Sequence, residues 1–339
     1  MTTTKVFWID IAGTCNLRCP SCAVGNYTNS DFVSAQRPVG FMELEYFQKV
    51  LAKIAEENSD SICRIEIYNW GEPLLHPQIA QFIREINSYP KFRCGISSNL
   101  SHRRMDLEGA LLQNPFSIRV SISGFYANSY SQTHVRGDIE LVKSNMLLMR
   151  RIIDEHKLKT VVTVAYHIYK HNAGEELDAM RQFCEENRFI LTPDWANFYP
   201  LEKLQRYFAG GASAAELALI EKLVFTPEEQ LDQAHQFANL PCTLQSQTAI
   251  NYDGSVALCC AVYDPANNIS GDFLQTPANV LTSAKLDSAM CNECIASNHH
   301  AMMCGYAMAD KDQLGSKRVK FADGWLLKGN RLVRDTGEA

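Results

Sequence analysis

Cys15, Cys19 and Cys22 lie so close along the chain that their thiolates could hold a single inorganic cluster. Cysteine sulfur is the ligand that irons of cuboidal iron–sulfur clusters prefer. Three thiolates for four irons leave one iron open, and an open iron is a place where chemistry can occur. A tetrahedral zinc site would need a fourth ligand, and the nearest histidine, His76, is far along the sequence. A chance grouping or an incomplete zinc site is the plain alternative.

A second cysteine group follows after a long gap. Cys242-x16-Cys259-Cys260 and then Cys291-x-x-Cys294 supply four ligand positions in two pairs, with Cys304 beyond them. A hairpin signal at Asn251-Tyr252-Asp253-Gly254 would bring Cys259 back beside Cys242. The set suits a four-cysteine cluster or zinc, and spacing does not separate them, because CxxC pairs serve both. The doublet also leaves open whether Cys259 or Cys260 is the ligand. His299-His300 read either as alternative metal ligands or, more plainly, as an exposed loop pair. Cys63, Cys94 and Cys184 read as buried small hydrophobes.

The rest of the composition narrows the setting. The chain has 339 residues, enough for a sizeable core, and a net charge of -6 with no Lys/Arg run suited to a phosphate backbone, which argues against nucleic acid. The first residues do not read as an export signal, since Asp10 interrupts a short apolar stretch. No apolar run approaches the roughly 18–20 residues of a membrane span. Twelve cysteines in such a chain suggest metal ligation in a reducing, cytoplasmic setting rather than a disulfide framework.

The elements that must position these residues alternate. Strand patterns run over 6–11, 62–70, 93–99, 117–123, 160–169 and 189–195. Helical spacing of apolar residues runs over 41–57, 77–88, 138–156 and 175–187. This repetition implies parallel βαβ units in a barrel-like or a doubly wound sheet, with ligands at the C-terminal strand ends. Residues 200–235 read as helical with a break at Gly210-Gly211, and Thr226-Pro227-Glu228-Glu229 reads as a helix start. A final hairpin is expected in GWLLKGNRLVR around Gly329-Asn330.

A strand followed by CNLRCPSC resembles the signature loop of the radical S-adenosylmethionine (AdoMet), or radical SAM, superfamily. The resemblance continues in Tyr68-Asn69-Trp70-Gly71-Glu72-Pro73 at the end of the second strand, similar to that family's glycine–glutamate–proline motif, which hydrogen-bonds the AdoMet amino group. Trp70 departs from the small residue often found there. Ser97-Ser98-Asn99 and Ser121-Ile122-Ser123 resemble segments that line the ribose and carboxylate of AdoMet, and Arg136-Gly137 resembles an arginine–glycine pair after the fourth strand. The plain alternative makes Gly71–Pro73 a tight turn, Glu72 a helix cap and the serines turn residues.

The resemblance implies an incomplete (β/α)6 barrel over residues 1–200, a helical linker over 201–240, a small α/β cap over 241–310 and a closing tail over 311–339. The cap resembles the twitch form of the SPASM extension, which implies one auxiliary [4Fe–4S] cluster on Cys242, Cys259, Cys291 and Cys294. Cys259 fits the Asp-Gly-x4-Cys pattern of that extension better than Cys260 does.

The open iron on Cys15, Cys19 and Cys22 would chelate AdoMet. One electron, from a donor such as a flavodoxin or ferredoxin, would release a 5′-deoxyadenosyl radical to take hydrogen from a substrate. Oxidation through the auxiliary cluster then follows, on a polar sugar- or aminocyclitol-like small molecule. A ribosomal peptide is the other substrate class, disfavoured because no leader-binding domain precedes the first strand. Cys260 or Cys304 as a hydrogen donor would instead make an epimerase. His167, with His134 and His171 nearby in sequence, is a candidate base for a substrate hydroxyl. A non-catalytic iron–sulfur or zinc protein is the reading from another class.

Overall fold

The computed structural model describes residues 4–24 and 39–306, together with three strands near the C-terminus. Six strands carry the first part of the chain: β1 (Thr4–Ile9), β2 (Ile62–Glu66), β3 (Phe92–Ser98), β4 (Ser117–Ile122), β5 (Val161–Ile168) and β6 (Ile190–Trp195). They pair in parallel and in chain order. An order without reversal keeps every crossover on one side, so the sheet is of the barrel type rather than doubly wound. Among the described strands β6 pairs only with β5, and the barrel is open on that side.

The sequence dictates which face is which. In β4, Ile118, Val120 and Ile122 are buried and turn outward to the helices, while Ser117, Arg119 and Ser121 alternate with them and turn to the interior. The helices close the outer face. On α1 (Leu44–Glu57) the buried residues are Phe47, Val50, Leu51 and Ile54, and on α2 (Ile79–Asn87) they are Ile79, Phe82, Ile83 and Ile86, the spacing of one apolar stripe. α5 (Ile139–Glu155) and α6 (Glu175–Glu186) pack likewise. Two further helices, α3 (Leu107–Leu112) and α4 (Ala127–Thr133), were not expected from the sequence. At six and seven residues they are too short to show a 3.6-residue period.

Beyond β6 come α7 (Leu201–Phe208), α8 (Ala214–Ile220) and α9 (Pro227–Ala234), with Gly210 at φ 77° in the break between the first two. α9 begins on a capping box between Thr226 and Glu229, as the sequence indicates. Then β7 (Thr248–Ile250) joins the sheet in parallel beside β1, and β8 (Val256–Ala257) and β9 (Asn268–Ser270) follow antiparallel. The expected hairpin is the β7–β8 turn, closed by Asn251 N donating to Ser255 O at 2.8 Å.

α10 (Ala278–Leu286) joins the first hydrophobic core through Leu281, while α11 (Ala289–Ala296) and α12 (His299–Met303) pack into a second. Near the C-terminus β10 (Arg318–Lys320), β11 (Trp325–Lys328) and β12 (Arg331–Arg334) form an antiparallel sheet. The expected turn, Gly329-Asn330, lies outside the described residues. Among the described residues no helix is long and apolar enough to cross a membrane.

Candidate active site

The loop that carries Cys15, Cys19 and Cys22 leaves β1 and is tied to the ends of the neighbouring strands. Asn16 Nδ2 donates to Ser101 O at 2.9 Å, Arg18 N to Val135 O at 2.9 Å and Gly13 N to Gly40 O at 2.9 Å. Leu17, 2% exposed, plugs the loop into the interior. Burial, and after it the negative charge of neighbouring groups, pushes the Cys15 and Cys19 thiols well above their ordinary range. Binding to iron would reverse that, because a metal deprotonates a coordinating thiol outright.

The segment after β2 packs against this loop. A Cβ on Gly71 would stand 1.5 Å from Ala12 O, so only glycine fits. Glu72 N donates to Thr14 O at 2.8 Å. The Asp10 carboxylate, 2% exposed, accepts from Trp70 N at 3.3 Å and Gly71 N at 3.1 Å. Glu72 joins two strand ends: its carboxylate accepts from Leu74 N at 3.0 Å and Asn99 N at 2.8 Å. Burial outweighs these hydrogen bonds and raises its pKa to about 7.

These elements enclose a cavity of about 210 Å³. Cys15, Cys19 and Cys22 line it, together with Asn69, Trp70, Gly71, Glu72, Ser97, Asn99, Ser121 and Ser123. Two residues of the sequence reading are not brought to it. Pro73 is buried at the start of the short helix that Glu72 caps. Arg136 is exposed at φ 72° on the turn after α4.

A second cavity of about 490 Å³ shares Cys22, Asn69, Trp70, Ser97, Ser121 and His167 with the first, and reaches Cys260 and Cys304 on its far side. His167 alternates with Tyr166 along β5, so His167 faces the cavity while the Tyr166 hydroxyl donates to Asn172 O at 2.7 Å behind the sheet. Burial and the positive charge of Arg119 lower the His167 pKa to about 4, which keeps the imidazole neutral at pH 7. His134 lines only the first cavity, and its pKa is lowered to about 3, chiefly by burial. His171 lines neither.

The C-terminal cysteines sort themselves between two walls. Cys242, Cys259, Cys291 and Cys294 line one small apolar cavity of about 30 Å³, crowded by Leu258, Ile295 and Met303. Cys260 and Cys304 line the large cavity instead. Cys304 Sγ also lies 3.8 Å from Cys242 Sγ. Among the described residues no three His, Cys, Asp or Glu side chains gather tightly enough to hold one metal ion. Zinc would need that gathering, with four sulfurs about 2.3 Å from one centre. A cuboidal cluster does not, since each thiolate takes a different iron.

The expected exposed pair, His299 and His300, is instead buried at 4% and 1%. α12 packs into the second core, where His299 stacks on Phe208 at 5.1 Å and His300 Nε2 lies 3.1 Å from Leu240 O. Cys63, Cys94 and Cys184 are buried core residues, as read.

The donor set fits the groups that the resemblance implies. Three thiols line one cavity. Trp70 Nε1, bordering both cavities, is buried without a hydrogen-bond partner among the described residues, a position for a polar ligand to satisfy. The sequence reading missed Asp10, Arg119, Asp194, Asn197 and Tyr199, the last four of which line the large cavity. Arg119 carried a signal, since it precedes Ser121 by two on the same strand face.

No protein-family model and no curated protein matches the sequence. Solved structures do resemble it. anSMEcpe with bound AdoMet superposes with a TM-score of 0.54 at 14% identity, over 86% of this chain and 82% of that one. The same protein with AdoMet and the Cp18Cys peptide gives 0.52 at 13% identity over 86% and 82%. Streptococcus suis SuiB bound to precursor peptide SuiA gives 0.55 at 12% identity, over 87% of this chain and 67% of that one. At these identities the likeness is one of fold: the chain shares with these proteins the fold described above, an open β/α barrel continued by a smaller α/β part.

Proposed function

We propose that this protein is a radical AdoMet enzyme that takes hydrogen from a polar substrate and oxidises it by one further electron. The observation that carries this is a pair of cavities with shared walls, which run from Cys15, Cys19 and Cys22, past Gly71 and Glu72, to Cys260 and Cys304. When bound, the reduced cluster and AdoMet supply a 5′-deoxyadenosyl radical able to break an unactivated C–H bond.

The chain's own residues do the rest. Cys15, Cys19 and Cys22 would hold the first cluster, and the strand-end groups Asn69, Ser97, Asn99, Ser121 and Ser123 would hydrogen-bond AdoMet. Glu72 acts indirectly, because both its oxygens already hold backbone N–H groups. Neutral His167 can accept a proton from a substrate hydroxyl as oxidation proceeds. The large cavity is of a size that takes a small molecule, and it also suits one side chain of a peptide, the substrate class held by anSMEcpe and SuiB. Electrons would enter from a carrier such as a flavodoxin or ferredoxin.

Cys242, Cys259, Cys291 and Cys294 would hold the auxiliary cluster that receives the substrate electron. With Cys15, Cys19 and Cys22 all replaced by alanine, the anaerobically reconstituted protein is expected to keep about four irons per chain. No iron would remove the electron acceptor and the oxidative reading with it. A second reading is favoured by Cys260 and Cys304, which face the same cavity as His167. A thiol there could return hydrogen to a substrate radical, giving epimerisation, and deuterium uptake from heavy water without net oxidation distinguishes it.

A further inference from the structure

Lys285 stands in the last turn of α10 and lines the same small cavity as Cys242, Cys259, Cys291 and Cys294. It is 4% exposed. Its ammonium donates to Gln247 O and, at 3.5 Å, to Gln245 O, on the stretch that follows Cys242. Gln245 Nε2 in turn lies 3.2 Å from Cys291 Sγ. No carboxylate of a described residue pairs with Lys285.

A buried cation needs an anion, because burying an unpaired charge is strongly unfavourable. Two carbonyl dipoles soften that cost without neutralising the charge. The missing anion is what four thiolates and a cluster would supply in that cavity.

We propose that Lys285 is the counter-ion of the C-terminal cluster and raises its reduction potential, making the cluster a better acceptor of the substrate electron. The inference rests on the reading that these four cysteines hold a cluster. Once hydrogen has been removed, the substrate radical loses one electron to the cluster and one proton to a base facing the cavity. Each electron accepted adds one negative charge beside the ammonium, and net charge is among the quantities that set cluster potentials. The electron then leaves to an external carrier of the flavodoxin or ferredoxin class.

The test uses the full chain with Cys15, Cys19 and Cys22 replaced by alanine, so that only the C-terminal cluster reports. Iron is counted first, and the midpoint potential is then measured by EPR-monitored titration. K285Q keeps a donor for the two carbonyls but removes the charge. It is expected to hold its iron and to lower the reduction equilibrium constant at least tenfold, which is 59 mV for a one-electron couple. K285R should match the parent. If K285Q takes up no iron while K285R loads fully, a positive charge is needed for the cluster to bind at all, which supports the counter-ion role. A loaded K285Q at the parent's potential overturns it, as does equal loss of iron in both variants. No iron in the parent is the failure of the underlying cluster reading, visible before any potential is measured, and the proposal falls with it.

Discussion

Gly71→Ala is expected to weaken AdoMet binding roughly a hundredfold or more while the chain still folds. The added Cβ would stand 1.5 Å from Ala12 O, 2.7 Å from Ala12 C and 3.0 Å from Thr14 O. All three are backbone atoms, so no side chain can rotate away. Either the segment after β2 or the cysteine loop must move. That motion opens the Glu72 N–Thr14 O bond and withdraws Gly71 N from Asp10. Overpacking of this kind costs about 1–3 kcal/mol, and the upper end applies where main chain yields. Directed at the binding-competent form, about 3 kcal/mol is roughly a hundredfold or more in AdoMet affinity. Anaerobic calorimetry of the reconstituted variant checks it, and an affinity within twofold of the parent would refute the assignment of this segment.

Asp10→Ala should have an effect of similar size. The Asp10 carboxylate is buried and accepts two backbone N–H groups, from Trp70 and Gly71. Alanine leaves both donors without that acceptor, and a buried unmet donor costs about 1–3 kcal/mol. AdoMet affinity is expected to fall by roughly ten- to a hundredfold, with thermal stability falling alongside. Asp10→Asn keeps one acceptor oxygen and should lie between. Iron content at Cys15, Cys19 and Cys22 is the control: if it collapses in Asp10→Asn, Asp10 supports the whole loop rather than the AdoMet segment alone.

Asp10 also shows why part of the site is invisible in the sequence. It sits in the apolar run VFWIDI, and nothing local reveals that its partners lie some sixty residues on. The alternation of strands and helices was readable because each outward face is a clean apolar stripe, as in β4 and α2. The same alternation, once strand β4 is recognised, places Arg119 beside Ser121 on the interior face.

The C-terminal part was harder to read. α10 carries the sequence ANVLTSAKL, whose weak amphipathy hides a helix, and a lysine there reads as solvated. Only the packing of α10 against the stretch after Cys242 buries Lys285. His299 and His300 misled for a related reason: a polar pair looks exposed until a short helix folds it against Phe208. The Cys259–Cys260 doublet gives no clue in sequence that the two residues line different cavities.

In the proposed reaction this chain cleaves AdoMet by one-electron reduction at a cluster held by Cys15, Cys19 and Cys22. The most direct measurement is the release of 5′-deoxyadenosine, followed by chromatography under anaerobic conditions with dithionite and AdoMet. The reconstituted wild-type chain is predicted to form it steadily, and the variant with all three cysteines replaced by alanine to form none. A fully iron-loaded wild-type chain that forms no 5′-deoxyadenosine, or a triple variant that forms as much, would rule out AdoMet cleavage at these three cysteines.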